Sequence, residues 1–305
     1  MASLNNLKYF IGTLTDSEEM EKKTFVQRKI VIIRKVLENY KNVIKIIRGK
    51  FLFFPQVEIA LTTRCTLRCK DCSNLMQYYE KPKDCSFEIN MTSVSNFLDA
   101  VDYVDRFILL GGEPFLYKEL PIILEKILAS DKVRRVWIYS NGTLLPHDMK
   151  LLELMCNEKV QLYISNYGQL STKLNEIKIL CDEKGIALKI ADENSEWISA
   201  GDISKRGRSR KELELQFKNC GLSCYNMLNG RLCYCARSSS AVELGIVKNE
   251  ICVDLLKQDG LNNRLYTFLH KNHQYLETCD YCDLGTDNCV KIEKAIQVTR
   301  DGSRK

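Results

Sequence analysis

Residues 62–75, TTRCTLRCKDCSNL, put Cys65, Cys69 and Cys72 within eight positions in the spacing C-x3-C-x2-C. Cysteines this dense on one short stretch read as metal ligands, yet a structural zinc site takes four and this loop has three. The loop is either one ligand short or built to leave a coordination position open. Its neighbours decide between the two.

Upstream, QVEIALTT (56–63) is a short strand that feeds the loop. Downstream the pattern repeats as strand, loop and helix. SVSNFLDAVDYV is a helix, RFILLGGEP a strand, LPIILEKILASD a helix and VRRVWIYSNGT a strand. MKLLELMCNE is a helix, VQLYISNYG a strand, STKLNEIKILCDEKG a helix and IALKIAD a strand. Alternating β and α elements with buried-type strands predict an α/β fold: a parallel sheet with right-handed crossovers. Ligands in such folds gather at the C-terminal ends of the strands. TTRC, GGEP, SNGT and SNYG all fall at strand exits, so together they describe one candidate site.

The chain has 305 residues, enough for one large α/β domain with an appendage or for two domains. A net charge of +6 permits an anionic ligand without arguing for nucleic acid. The first residues lack the pattern of a signal peptide, and no apolar run approaches a membrane span. A reducing cytoplasmic setting is therefore expected, where the fourteen cysteines read as metal chemistry rather than disulfides. Cys85, Cys156 and Cys181 are isolated, and Cys156 and Cys181 sit in helix-like apolar patterns that predict buried packing. Residues 16–48 carry an amphipathic basic helix, expected to cover a core, with a membrane-surface helix as the other reading.

CTLRCKDC on a strand-exit loop, followed one βα unit later by GGEP, resembles the radical S-adenosylmethionine (SAM) enzymes. The resemblance covers roughly residues 56–200. It implies a partial (β/α)6 TIM-type barrel in which Cys65, Cys69 and Cys72 hold a [4Fe–4S] cluster whose open iron binds SAM. It further implies that Gly111, Gly112, Glu113 and Pro114 meet the SAM amino group. Ser165 sits where related proteins place a serine near the SAM carboxylate or ribose, and Ser140 and Asn141 lie at the neighbouring strand end. The family usually has an aromatic residue before the third cysteine; here Asp71 stands at that adenine-side position. The chemistry implied is reductive cleavage of SAM to a 5′-deoxyadenosyl radical, with a flavodoxin or ferredoxin as electron donor.

A second cysteine field runs through NCGLSCYNMLNGRLCYC (219–235) and ETCDYCDLG (277–285). NGRLCYC predicts a hairpin with its turn at Asn229-Gly230. The spacing C-x9-G-x4-C, a gap and C-x2-C resembles the short "twitch" form of the SPASM auxiliary-cluster region. That resemblance implies a second [4Fe–4S] cluster on Cys220, Cys235, Cys279 and Cys282. Cys224, Cys233 and Cys289 are spare, and a four-cysteine zinc site through Cys224 is an alternative. The expected organisation is a helical extension at 1–55, a radical SAM core at 56–212 and a Cys-rich region at 213–305.

An auxiliary cluster suits net oxidation of a substrate. A small molecule such as a sugar or cyclitol is the favoured substrate, and a peptide the rival. A non-catalytic iron–sulfur or zinc protein is the alternative of another class, though a carrier has no use for GGEP. SKRGRSRK (204–211) carries Lys205, Arg206, Arg208, Arg210 and Lys211 and would either overhang the barrel mouth to meet a phosphate or form a solvated connector. His147, His270 and His273 offer no metal-binding pair. Tyr163, Tyr167 and Tyr225 are candidates for moving a proton.

Overall fold

The structure, a computed structural model, describes residues 7, 10–12, 20, 23–48, 50–220, 224–270 and 274–299. Two units divide the chain, residues 1–53 and 54–305. In the first, Thr24 caps α1 (Phe25–Glu38) by a reciprocal pair of bonds. Its hydroxyl accepts from the Gln27 amide, and the Gln27 side chain accepts from the Thr24 amide. Asn39 interrupts the helix before α2 (Tyr40–Ile47). The helical period expected over 16–48 is present from 25 to 47, and most of its first residues lie outside the described ones. None of the residues of α1 is buried.

In the second unit β1 (Phe53–Ala60) feeds the cysteine loop. Then come α3 (Phe87–Ala100), β2 (Tyr103–Leu110), α4 (Leu120–Leu128), β3 (Val133–Ser140), α5 (Met149–Met155), β4 (Val160–Ile164), α6 (Leu174–Lys184) and β5 (Leu188–Ile190). Strands β2 to β5 pair in parallel. Helix starts are fixed by Ser86 and Asp148, whose side chains accept from the amides three residues on. Gly185, at φ +69°, ends α6. Alternate strand residues divide the sheet into two faces. Val57, Ile59, Phe107, Leu109, Val136 and Ile138 are buried essentially completely, each burial stabilising by about 1.5–3 kcal/mol. The other set carries Glu58, Arg106, Trp137, Tyr139 and Tyr163; Trp137 stacks on Tyr163 at 5.8 Å and Tyr139 on Tyr163 at 4.6 Å.

These five strands lie side by side in the order β5-β4-β3-β2-β1. The α/β alternation thus holds for five strands. The short β6 (Trp197–Ile198) leaves the sheet and pairs with β10 (Lys291–Ile292). After α7 (Arg210–Cys220), β7 (Tyr225–Leu228) joins the free edge of β1 in parallel. Asn229 and Gly230, both at positive φ, turn the chain into β8 (Arg231–Cys233) as expected for the hairpin. β9 (Cys252–Asp254) completes the sheet, with α8 (Ala236–Glu243) before it and α9 (Leu261–His270) after it. The Cys-rich segment therefore extends the sheet of the core.

Two cysteine expectations are corrected here. Cys233 and Cys252 face each other across the antiparallel β8–β9 pair and form a disulfide, so Cys233 is no spare ligand. Cys156 is exposed rather than buried, because it falls at the end of α5; its thiol donates to the Leu152 and Lys184 carbonyls. Cys181 is buried as expected.

Candidate active site

The cysteine loop is held by the exit of β2. The Gly112 amide donates to the Thr62 carbonyl (2.8 Å) and the Glu113 amide to the Arg64 carbonyl (2.9 Å). The chains approach so closely that a Cβ on Gly112 would stand 2.2 Å from the Arg64 oxygen and 2.7 Å from Cys65 Cβ. Arg64 is fixed in turn by a bidentate pair with Asp84 (2.9 and 2.8 Å).

Glu113 is fully buried and ties β2 to β3. Its carboxylate accepts from Ser140 Oγ (2.9 Å), the Asn141 amide (2.9 Å) and the Phe115 amide (3.3 Å). Burial pushes its carboxyl up to about 7 against the pull of those bonds. Ser140 and Asn141 thereby join the site. Asn141 Nδ2 lies 3.6 Å from Cys65 Sγ and donates to Thr66 Oγ1 (3.0 Å). The Ser165 amide donates to the Ser140 carbonyl (2.9 Å), which brings the β4 exit alongside. Pro114 opens the 3-10 turn after Glu113. Asp71 stays close to the loop, but its carboxylate accepts from Ser199 Oγ (2.6 Å), next to β6.

The other side of the loop is bound by a residue the sequence did not mark. Gln297 accepts from the Arg68 amide (2.8 Å) and its Nε2 lies 3.3 Å from Cys69 Sγ. The backbone of 296–298 adds two more bonds, Lys70 amide to Ile296 carbonyl and Val298 amide to Arg68 carbonyl.

The donor set fits an iron–sulfur cluster. The sulfurs of Cys65 and Cys69 meet N–H groups from Leu67 (3.5 Å), Asn141 and Gln297, the arrangement that stabilises cluster sulfurs. Burial, with a smaller contribution from neighbouring cysteine charge, pushes both thiols up to about 12. Burial also raises Cys72, opposed by the amides of Met76 and Asn74 and by the Arg237 charge. Neutral thiols become ligands only when a bound cation drives their protons off.

The tail cysteines meet elsewhere in the same unit. Cys220, Cys224, Cys235, Cys279 and Cys282 line one cavity of about 540 Å³. Thus the four expected residues converge, and Cys224 joins them. Cys289 does not line this cavity; its thiol donates to the Ser199 carbonyl at 3.9 Å. Cys235 caps α8 and accepts from the Ser238 amide (3.4 Å), but burial and the neighbouring cysteines outweigh that bond and raise its thiol well above the ordinary cysteine value. Among the described residues no group of three or more His, Cys, Asp or Glu forms a single-ion site. Five thiols around one cavity are a soft donor set of the kind that iron–sulfur clusters and zinc both use.

The basic run proves to be the scaffold of this cavity. Arg206 and Arg208 both pair with Asp283, at 2.8 and 2.6 Å. Arg208 also donates to the Cys279 and Cys282 carbonyls (3.1 and 2.7 Å). Burial pushes Asp283 up, but the hydrogen bonds and charges of the two arginines outweigh it and hold the carboxyl below its usual range. Arg210 pairs with Glu214 at 2.7 Å. Three of the five cations are therefore satisfied by the protein, so Arg206 and Arg208, which are largely buried, fit neither the phosphate contact nor the solvated connector expected for this run. Arg237, itself buried, donates to the carbonyls of Tyr281 and Gly201.

Glu58, which the sequence reading passed over, also lines the cavity. Its oxygens accept from Gln56 (2.9 Å) and Asn226 (3.3 Å), and Ser239 donates to Asn226 (2.6 Å). Burial pushes the Glu58 carboxyl up to about 7 despite those bonds. The available signal was a lone carboxylate inside an apolar strand. Of the histidines, His147 lines a separate cavity of about 380 Å³, His270 bonds the Tyr266 carbonyl, and His273 lies outside the described residues.

An α/β sheet with a three-cysteine loop at a strand exit, clamped by a glycine pair, defines a class of cofactor-dependent domain. Residues 59–165 match the model of the Radical SAM superfamily, and over that stretch the chain carries a radical SAM domain. GTP 3′,8-cyclase of Stenotrophomonas maltophilia (strain R551-3) is 34% identical over 94 residues, which cover 30% of this chain and 28% of the relative. 7-carboxy-7-deazaguanine synthase of Aquifex aeolicus (strain VF5) is 27% identical over 142 residues, 45% of this chain and 60% of the relative. The match thus spans less than two thirds of either. The solved structure of native anSMEcpe with bound AdoMet superposes with a TM-score of 0.50 at 12% identity, covering 79% of this chain and 93% of that one, a likeness of fold.

Proposed function

We propose that the chain is a radical SAM enzyme that oxidises a small polyhydroxylated molecule, a sugar or cyclitol. Cys65, Cys69 and Cys72 would hold a [4Fe–4S] cluster. Gly111, Gly112 and Pro114 would border SAM, with Asn141 and Ser165 from the next strand ends. Bound there, cluster and SAM would supply the radical chemistry that removes a hydrogen atom from substrate. Cys220, Cys235, Cys279 and Cys282 would hold a second cluster, a one-electron acceptor.

The chain's own contribution is read from the cavity. The observation that carries the proposal is a buried carboxyl, Glu58, in the wall of the cysteine-lined space. With a carboxyl titrating near neutrality, Glu58 can hold or release a proton at its Oε atoms, as oxidation of a hydroxyl requires. Asn226 and Gln56 fix its orientation. Ala200, Leu276 and Leu284 line the space with apolar groups. The two sequence relatives are named for GTP and a deazaguanine, also small molecules.

The test is anaerobic. Reconstituted protein is given SAM and reduced flavodoxin with a panel of sugars, cyclitols, nucleotide sugars and peptides, and 5′-deoxyadenosine is measured. The proposal expects stimulation by a small molecule and transfer of deuterium from a labelled substrate carbon into 5′-deoxyadenosine. Stimulation by peptides alone would replace the small-molecule reading.

A further inference from the structure

The charge of the chain is unevenly placed. Residues 23–50 contain nine Lys and Arg and one acidic residue, a net charge of +8 against +6 for the whole chain, so the remaining residues together carry −2. The same stretch concentrates exposed apolar side chains. Ile30, Ile33, Leu37, Tyr40, Ile44 and Ile47 are between 42% and 66% exposed. They succeed one another in steps of three and four, which sets them in a row along one face of α1 and α2. Scattered exposed apolar residues are ordinary, whereas a continuous row marks an interaction surface.

The flanking charges decide what covers the row. Arg34, Lys41 and Arg48, seven residues apart, border it on one side. Glu38 is the one acid of residues 23–50 and is already paired with Arg34 at 2.8 Å. A second copy would therefore bring like charge to like charge, a poor match for a helical seam. A surface with an apolar interior and an anionic face meets both features at once. Among the described residues no helix is long and apolar enough to cross a membrane, so the helix would lie in the plane of the interface.

We propose that α1 and α2 dock the chain onto a bilayer containing anionic phospholipid. Ile30, Ile33, Leu37, Ile44 and Ile47 enter the acyl boundary, and the Lys and Arg side chains meet the headgroups. This rests on the first unit alone and is independent of the proposed reaction.

Sedimentation of the full chain with vesicles tests it, comparing phosphatidylcholine alone with phosphatidylcholine mixed with phosphatidylserine. The mixed vesicles should bind at least ~10-fold more tightly, and added salt should erode that preference. The double variant Ile33→Asp and Leu37→Asp should lose binding by ~10-fold or more, with helix content by circular dichroism unchanged. A second variant, Arg28→Gln with Lys29→Gln and Lys35→Gln, should lose the preference for anionic vesicles while leaving the apolar row intact. No binding of the parent chain to mixed vesicles overturns the proposal, as does equal binding to both kinds. A dimer by light scattering that the Asp pair dissolves, without vesicle binding, would assign the row to a second copy instead.

Discussion

The two cysteine fields are built on opposite plans. Cys65, Cys69 and Cys72 come from eight consecutive residues, and the fold clamps a set that already exists. Gly112 and Glu113 press on one side of the loop and Gln297 holds the other. Cys220, Cys235, Cys279 and Cys282 come from the end of α7, the cap of α8 and the turn at 277–281, so the fold has to create the set. It does so with charge: Arg206 and Arg208 on Asp283, and Arg208 with Gln216 on the carbonyl of Cys282. One field depends on close backbone approach and the other on partly buried ion pairs, so different substitutions should break them.

The largest effect is expected from Gly112→Ala. The new Cβ would meet backbone, not a flexible side chain, at 2.2 Å. Shifting the cysteine loop should lower 5′-deoxyadenosine formation by ~100-fold or more and destabilise the fold by about 1–3 kcal/mol, while the tail keeps its iron. Asp283→Ala should do the reverse. Two guanidinium groups lose their partner, at a cost on the order of 2–3 kcal/mol by denaturant melt. Iron should be lost from the tail with SAM cleavage retained. Because the folded-state pKa of Asp283 is depressed, its contribution is complete above the unfolded value near 4 and is lost as pH falls through the folded one.

Glu58 titrates in the opposite sense. Its folded-state value is raised to about 7, so between about pH 4.5 and 7 the folded state binds the extra proton. Stability of the parent chain should fall across that window as pH rises, by up to about 3 kcal/mol. Glu58→Gln should flatten the curve; an unchanged pH profile in that variant would show that Glu58 does not hold the proton. The smallest effect belongs to Cys156→Ser, an exposed position at a helix end, expected within about 0.5 kcal/mol of the parent and without effect on iron content.

The first field was legible because local spacing carries it. C-x3-C-x2-C and GGEP need only a strand exit each, and period-2 and period-3.6 patterns located the strands and helices around them. The Asn229-Gly230 turn was legible for the same reason. What escaped depends on partners far away in sequence. Gln297 lies 228 residues from Cys69. The pairing of Cys233 with Cys252 follows from the β8–β9 register, which no spacing rule encodes. Arg206 and Arg208 read as either a phosphate contact or a solvated connector because their partner, Asp283, is in another segment. Glu58 was hidden by its surroundings, since an apolar strand reads as core even when one of its faces borders a cavity.

The central claim is that the chain holds two separate iron–sulfur sites, one of which cleaves SAM. Iron and sulfide counts, with 5′-deoxyadenosine formation under dithionite, test it on three proteins: the parent chain, Cys65→Ala/Cys69→Ala/Cys72→Ala, and Cys279→Ala/Cys282→Ala. The account predicts about eight irons in the parent and about four in each variant, with SAM cleavage lost only in the first variant. About four irons in the parent, all lost with Cys65, Cys69 and Cys72, would contradict the second site, and iron without SAM cleavage would contradict the first.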